Sequence, residues 1–296
     1  MRVFVTGATG FVGSAVVREL LGAGHQVAGL ARTDPGAQSL AGTGAEVVRG
    51  TLHDLDILRS AADAADGVIH TAFIHDFSDF AASCETDRLV IEAFGETLAG
   101  SDRPLVVTAG TAMVRMSGLV TEEDPAPNPP LYPRVSEQTA LSFVERGVRV
   151  VSMRLPVVHG EGDYGFVPLV LGLGREKGYV AYVGEGRNAW PAVHRLDAAR
   201  LYRLAVESAP AGSLLHAVAE RGIEFRRLAE TIGKGIDVPV KSISADEVAD
   251  YFGTFAGFAM VDNPASSDLT RTQMAWVPEQ VGLLEDMEKN GYFEER

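Results

Sequence analysis

The chain has 296 residues, 46% of them hydrophobic, a formal net charge of −14 and one cysteine, Cys84. That length carries a full core as one large α/β domain or two smaller ones. The acidic balance sets the surface against phosphate backbones and anionic membranes, and a lone cysteine excludes an intrachain disulfide and a cysteine-based zinc cluster. Cys84 reads as a small buried hydrophobe.

Residues 2–6 read as a strand entered directly, with none of the features of a signal peptide. A helix follows at 12–22, with Val12, Ala15, Val16 and Leu20 on one stripe and Gly22 and Gly24 ending it. Further strands are expected at 27–30, 46–48, 67–71, 105–108 and 148–155, with helices at about 54–65, 84–99 and 135–146. Pro125 to Pro133 holds five prolines and marks a loop. Short apolar strands alternating with amphipathic helices predict an α/β fold, a doubly wound parallel sheet covered on both faces. Beyond residue 156 the rhythm loosens at Gly160, Gly162, Gly165, Gly172 and Gly174. A helix at 196–207, a strand near 214–218, helices near 224–233 and 245–251 and a Gly/Phe-rich stretch at 252–260 predict a smaller cap. The expected division is a nucleotide-binding domain at 1–157 and a mainly substrate-capping region at 158–296, with segments at about 190–220 returning to the sheet. No run of ~18 apolar residues predicts a membrane span. The expected setting is cytoplasmic, without nucleic acid or membrane as partner.

The strongest motif is Thr6-Gly7-Ala8-Thr9-Gly10-Phe11-Val12-Gly13, with the spacing G-x-x-G-x-x-G between a strand and a helix. Gly7 permits the tight turn, Gly10 lets backbone approach a pyrophosphate, and Gly13 lets the helix pack closely on the sheet. The helix opening offers N–H groups and a positive dipole to phosphates. Gly7, Thr9, Gly10, Phe11, Val12 and Gly13 are therefore the expected dinucleotide contacts; a glycine turn without ligand is the alternative.

Placed at the N-terminus, this motif resembles that of the extended and atypical short-chain dehydrogenase/reductase superfamily. Gly67-Val68-Ile69-His70-Thr71-Ala72 resembles that family's fourth strand. Arg154-Leu155-Pro156-Val157-Val158-His159-Gly160 resembles its R-P-x-x-V-Y-G segment. Trp190 to Ala199 resembles its V-H-V-x-D-x-A segment, and Ser266 to Trp276 its C-terminal stretch. The resemblance implies a Rossmann domain with Thr51 and Leu52 near the adenine, although the family usually has Asp at the first of these. It also implies that Thr71, Ala72 and Phe73 line the ribose–nicotinamide stretch and that Pro156 and Val158 pass the nicotinamide face. Thr108, at the end of the fifth strand, is a further cofactor-side candidate, or a structural residue nearer the sheet.

Nucleotide selectivity is read at the end of the second strand, Gly29-Leu30-Ala31-Arg32-Thr33. No carboxylate stands there before Asp34, and Arg32 can pair with a 2′-phosphate in bidentate fashion, which favours NADP(H). A solvated strand-end cation is the alternative for Arg32.

Family enzymes use Tyr-x-x-x-Lys on one helix face, with a Ser or Thr after the fifth strand. Spacing back from Arg154 places Tyr132 at the tyrosine and Ser136, which carries no charge, at the lysine. Arg134, two residues on, would point elsewhere on a helix. Pro133 suggests that Tyr132 precedes the helix, and Tyr132 also reads as a plain loop residue. Gly110 falls at the usual serine position and Thr111 next to it, where its hydroxyl could orient a substrate carbonyl. His75, with Asp76 beside it, is a second candidate proton donor at the carboxyl edge, or a polar loop residue. His159 and His194 read mainly as hydrogen-bonded structural residues, and no metal site is expected. Tyr164, Phe166, Tyr182 and Trp190 offer aromatic area to an apolar substrate or to the cap's own core.

The leading expectation is an NADP(H)-dependent oxidoreductase acting on a carbonyl, alcohol or imine of a small molecule. A non-enzymatic NADP(H) sensor and a sugar-nucleotide epimerase or dehydratase are the alternatives. A homodimer through the helices at 84–99 and 135–146 is possible on the family pattern, with Leu89, Val90, Ala93 and Phe94 on the first, unless these face the sheet.

Overall fold

The computed structural model describes residues 1–76, 78–114, 118–128, 130 and 132–294, so Pro129 and Leu131 of the proline-rich loop, and Phe77 next to Asp76, lie outside them. In chain order its first half comprises β1 (Arg2–Thr6), α1 (Phe11–Gly22), β2 (Gln26–Ala31), α2 (Asp34–Ala41), β3 (Glu46–Arg49), α3 (Leu55–Asp63), β4 (Gly67–His70), α4 (Phe80–Leu98), β5 (Pro104–Gly110), α5 (Ser136–Leu141) and β6 (Arg149–Leu155). The second half continues with β7 (Val157–His159), α6 (Phe166–Lys177), β8 (Val180–Val183), β9 (Ala189–His194), α7 (Arg195–Ser208), β10 (Ser213–His216), β11 (Glu220–Glu224) and α8 (Phe225–Gly235). It ends with β12 (Val240–Ile243), α9 (Val248–Phe252), α10 (Ala256–Ala259), α11 (Asp268–Met274) and α12 (Leu283–Lys289).

Seven strands form one sheet in the order β10-β6-β5-β4-β1-β2-β3, and every neighbouring pair is parallel. Val3, Phe4, Val5 and Thr6 of β1 are all buried, as a strand covered on both faces requires. The pleat divides them. Val3 and Val5 enter the core under α1 and α7, while Phe4 enters the opposite core with Leu58 of α3 and Val90 and Phe94 of α4. Phe4 meets Phe94 edge-on at 6.0 Å, and burying such a ring stabilises by roughly 1.5–3 kcal/mol. The chain leaves β1 towards β2 and β3 on one side and returns through β4 on the other. Their carboxyl ends diverge into a crevice at that reversal.

The second half builds a three-stranded sheet, β11-β9-β7, and a parallel pair, β8 and β12, around a third core with Trp190, Phe225, Phe252 and Leu283. From its midst β10 returns to pair with β6 at the edge of the main sheet. Cys84 is buried and unbonded. No helix among the described residues is long and apolar enough to cross a membrane.

The structure departs from the sequence reading at several boundaries. Helix α4 begins at Phe80 because the Asp79 side chain accepts the Ala82 N–H and caps it there. Helix α5 ends at Leu141, and turns fill the remainder of the expected 135–146 segment. The expected helix at 245–251 is a 3₁₀ turn at Ala245–Glu247 followed by the short α9. Helix α2 was not expected; Thr33 accepts the Gly36 N–H and Pro35 sits in its first turn. Gly172 and Gly174, where the sequence rhythm loosens, lie inside α6. A Cβ on Gly174 would stand 2.8 Å from Val180 Cγ2, so glycine there lets α6 lie directly on β8.

Candidate active site

The glycine turn forms as its spacing implies. Gly7 has φ +68°, and the Gly10 N–H donates to its carbonyl at 2.8 Å. A Cβ on Gly13 would lie 2.0 Å from Gly7 O, so α1 can approach the turn only with glycine at that position. Among the described residues no side chain caps α1 at Gly10, and no acidic residue stands in its first turn, so no charge there offsets its positive end. The Phe11 N–H, in that first turn, donates to the hydroxyl of Tyr164 at 3.1 Å. That hydroxyl comes from the loop between β7 and α6, and it stands as an oxygen acceptor where the motif offers its amide to a phosphate. The cradle thus fits a pyrophosphate in shape and in donor chemistry.

At the tip of β2, Arg32 is exposed. Arg49 at the end of β3 donates to Thr33 O at 2.6 Å and holds the Asp34 carboxylate at 2.7 Å. The nearest carboxylate to the tip in sequence is thus paired with a guanidinium that sequence reasoning had not singled out. Thr51 closes the next loop: its N–H and hydroxyl both donate to Asp54, at 2.7 and 2.8 Å. Leu52 is buried in the core beneath.

Beyond β4, the Thr71 hydroxyl donates to Thr6 O at 2.8 Å, and Ala72 packs partly buried against the core. The Phe73 ring is flanked by His75 at 5.2 Å and Phe80 at 5.9 Å, with the Arg134 guanidinium 4.1 Å from its centroid. Thr108 turns inward: its hydroxyl donates to His70 O at 2.8 Å and meets Tyr202 OH at 2.6 Å. Val158 packs partly buried against the core under α1 and α7, and Pro156 joins β6 to β7.

A buried polar network underlies this end. His70 lies between the Thr6 hydroxyl, 2.6 Å from its Nδ1, and Asp87 of α4, 3.1 Å from its Nε2. The other Asp87 oxygen accepts the Ser136 hydroxyl. Arg134 Nε donates to that same Ser136 oxygen at 2.9 Å, and its Nη2 donates to Thr108 O at 3.0 Å. Burial alone would push the Asp87 carboxyl up, but the His70 hydrogen bond and the Arg134 charge hold it below the usual carboxylate range. Asp87 was not a candidate on sequence grounds.

Residue 132 lies before α5, which starts at Ser136. Helical spacing therefore does not govern Arg134, and the expectation that it points away is corrected: its side chain folds back onto Ser136. Tyr132, Arg134 and Ser136 line one cleft with Ala109, Gly110 and Met113 at the carboxyl end of β5. Burial raises the Tyr132 hydroxyl above the usual tyrosine value. His75 is lowered, first by burial and then by the Arg134 charge. Thr111 begins a 3₁₀ turn, is 1% exposed, and accepts the Asn263 side-chain N–H on its carbonyl.

Helix α5 is fixed from below. Buried Arg154 grips Glu137 through Nε at 2.7 Å and Nη2 at 2.6 Å, and the Ser152 hydroxyl joins the same carboxylate. Arg154 Nη1 donates to His216 Nε2 at 3.2 Å, and burial holds that imidazole below its usual value.

The other sequence candidates lie in the second half of the chain or on α4. His159 binds Asp286 of α12 at 2.7 Å, and His194 caps α7 by accepting the Leu196 N–H. Trp190 is buried in the cap core with Phe166 and Tyr182 packed partly buried against it, whereas Tyr164 is 73% exposed. On α4, Val90, Ala93 and Phe94 are buried within the subunit, while exposed Leu89 neighbours Arg88, which pairs with Glu85 and Glu92. Among the described residues no group of three or more His, Cys, Asp or Glu is placed to hold a metal.

A glycine turn opening α1 beside a reversal of strand order defines a dinucleotide-binding α/β protein. The chain belongs to the NAD dependent epimerase/dehydratase family, whose model matches residues 3–216. An uncharacterized protein of Schizosaccharomyces pombe is 48% identical over 99% of this chain and 100% of its own. The 4-hydroxy-2-methyl-3-oxo-4-farnesyl-3,4-dihydroquinoline-1-oxide ketoreductase of Stigmatella aurantiaca is 27% identical over 88% of this chain and 82% of its own. The UDP-glucuronic acid 4-epimerase of Bacillus cereus, solved with UDP-glucuronic acid and NAD, has the same fold, with a TM-score of 0.79 at 18% identity over 99% of both chains.

Proposed function

We propose that the protein is an NADP(H)-dependent oxidoreductase that interconverts a carbonyl or imine with the corresponding alcohol or amine on a small organic substrate. The cofactor, when bound, supplies or accepts the hydride. Residues 1–157, completed by β10, hold the nucleotide, and residues 158–296 shape most of the substrate side.

One observation carries the reading. The cleft at the end of β5 holds Tyr132 together with Arg134, whose guanidinium lies 2.9 Å from the serine at the family's lysine position. A cation is therefore retained where the sequence alone shows a loss. Tyr132 is the proton donor in this reading. Burial keeps its hydroxyl protonated through the neutral range, which suits donation to the oxygen of a carbonyl being reduced. His75, displaced below its ordinary value, is mostly neutral at pH 7 and serves better as an acceptor. NADP(H) is favoured over NAD(H) because Arg32 is exposed and Arg49 neutralises Asp34 beside it.

Purified protein mixed with NADPH or NADH and a panel of aldehydes, ketones and imines tests this. Turnover with NADPH that falls sharply in Tyr132→Phe supports it. Saturable binding without turnover on any member would favour a nucleotide sensor, and tightly held NAD released on denaturation would favour an epimerase or dehydratase.

A further inference from the structure

The loop between β7 and α6 carries an exposed aromatic in an unusual position. Tyr164 is 73% exposed, yet its hydroxyl is fixed on the Phe11 N–H at 3.1 Å and its ring meets Phe11 edge-on at 5.9 Å. Gly160 and Gly162, at φ +137° and +79°, precede it in the same loop. A second side chain converges from α7. The Arg195 guanidinium lies over the Phe11 ring, 5.4 Å from its centroid. Its Nε is buried and finds no hydrogen-bond partner among the described residues, and Glu161 stands 3.9 Å from its Nη2. A buried charged donor without an acceptor is costly, and such groups commonly mark the place of a ligand.

We propose that Tyr164 and Arg195 form a second wall of the dinucleotide site, borne by the second half of the chain, which closes on the pyrophosphate. This rests on the reading that the glycine turn binds a dinucleotide, and is independent of the choice between NAD and NADP and of the reaction. Tyr164 holds the Phe11 amide as an acceptor until a phosphate oxygen takes that N–H. Its own O–H then donates to the phosphate. Arg195 keeps its stack on Phe11 and directs its Nε–H to the same anion, a charge-assisted bond of the stronger kind. The two halves of the chain are thereby joined through the cofactor's central phosphates.

The test is calorimetric titration of the full chain with NAD⁺ and NADP⁺, comparing wild type with Tyr164→Phe and Arg195→Gln. Tyr164→Phe removes one exposed hydroxyl, so it keeps the assay informative should Arg195→Gln fold poorly. The expected result is a loss of about tenfold or more in affinity for Arg195→Gln and of about three- to fivefold for Tyr164→Phe. Because both nucleotides share the pyrophosphate, the loss should be the same for each within about twofold. Unchanged affinity, tighter binding by Tyr164→Phe, or a loss confined to one nucleotide overturns the proposal. Wild type that binds neither nucleotide overturns the dinucleotide reading itself, and the clamp with it.

Discussion

Arg134 and Ser136 are joined by a 2.9 Å hydrogen bond from Nε to the serine hydroxyl, across the start of α5. That bond connects two features which in sequence look like a vacancy and an unrelated cation. It also places Arg134 at the junction of the Phe73 ring, the Thr108 carbonyl and the Asp87 carboxylate.

Removing the guanidinium should therefore be felt at His75. The Arg134 charge disfavours the protonated imidazole, so in Arg134→Ala the His75 pKa should move up towards its ordinary value. Histidine-resolved NMR titration reads this directly. A fall in kcat/KM of about a hundredfold or more should accompany it if the cation also stabilises charge in the reaction. An unmoved His75 titration would argue against the electrostatic link.

Tyr132→Phe should lower carbonyl reduction by about a hundredfold or more. With Tyr132 as donor and its hydroxyl raised, reduction in the wild type should stay level from below neutral into the alkaline range, since the proton remains bound. The reverse oxidation needs the deprotonated form and should speed up as pH rises. If His75 were the donor, reduction would instead decline as pH rises through a value below 6.5, and His75→Ala would abolish that decline.

At the β2 tip, Arg32→Glu should lower the affinity ratio of NADPH to NADH by more than about tenfold, since it removes a phosphate partner and adds a ribose-binding carboxylate. Arg49→Ala should shift the ratio the same way, more weakly, by freeing the Asp34 charge. Calorimetry with both nucleotides distinguishes the two variants, and equal losses for NADPH and NADH would count against a 2′-phosphate contact.

Asp87→Asn should destabilise the fold by about 3 kcal/mol at neutral pH, because it breaks a buried charged network. The sign with pH follows from the lowered Asp87 value. Its contribution is present above the unfolded carboxylate pKa, near about 4, and is lost as pH falls through the lower folded value. The variant should consequently show a shallower acid limb in a plot of Tm against pH, with little change in slope above neutrality.

The main sheet was legible because its physics is local and periodic. Val3 and Val5 against Phe4 reads as a strand covered on both faces, and Gly7 and Gly13 declare the turn and the close approach that the structure contains. The cap was less legible. Gly172 and Gly174 weaken the helical signal of α6, and only contact with Val180 explains the second of them. The polar network was hidden for a different reason. His70, Asp87, Ser136 and Arg134 come from a strand end, two helices and a loop, so no single helical or strand spacing relates them. Arg134 was misplaced because helical geometry was applied to residues lying ahead of the helix.

The return of β10 to the side of β6 makes the two halves interleaved rather than consecutive. A fragment ending at residue 157 would leave β6 as an unpaired, apolar edge at one side of the sheet, open to pairing with other chains. Such a fragment should sediment as aggregates, while one extended through β10 should stay dispersed longer. On a ribosome the same constraint applies in time: the first sheet stays open at its margin until most of the polypeptide has emerged.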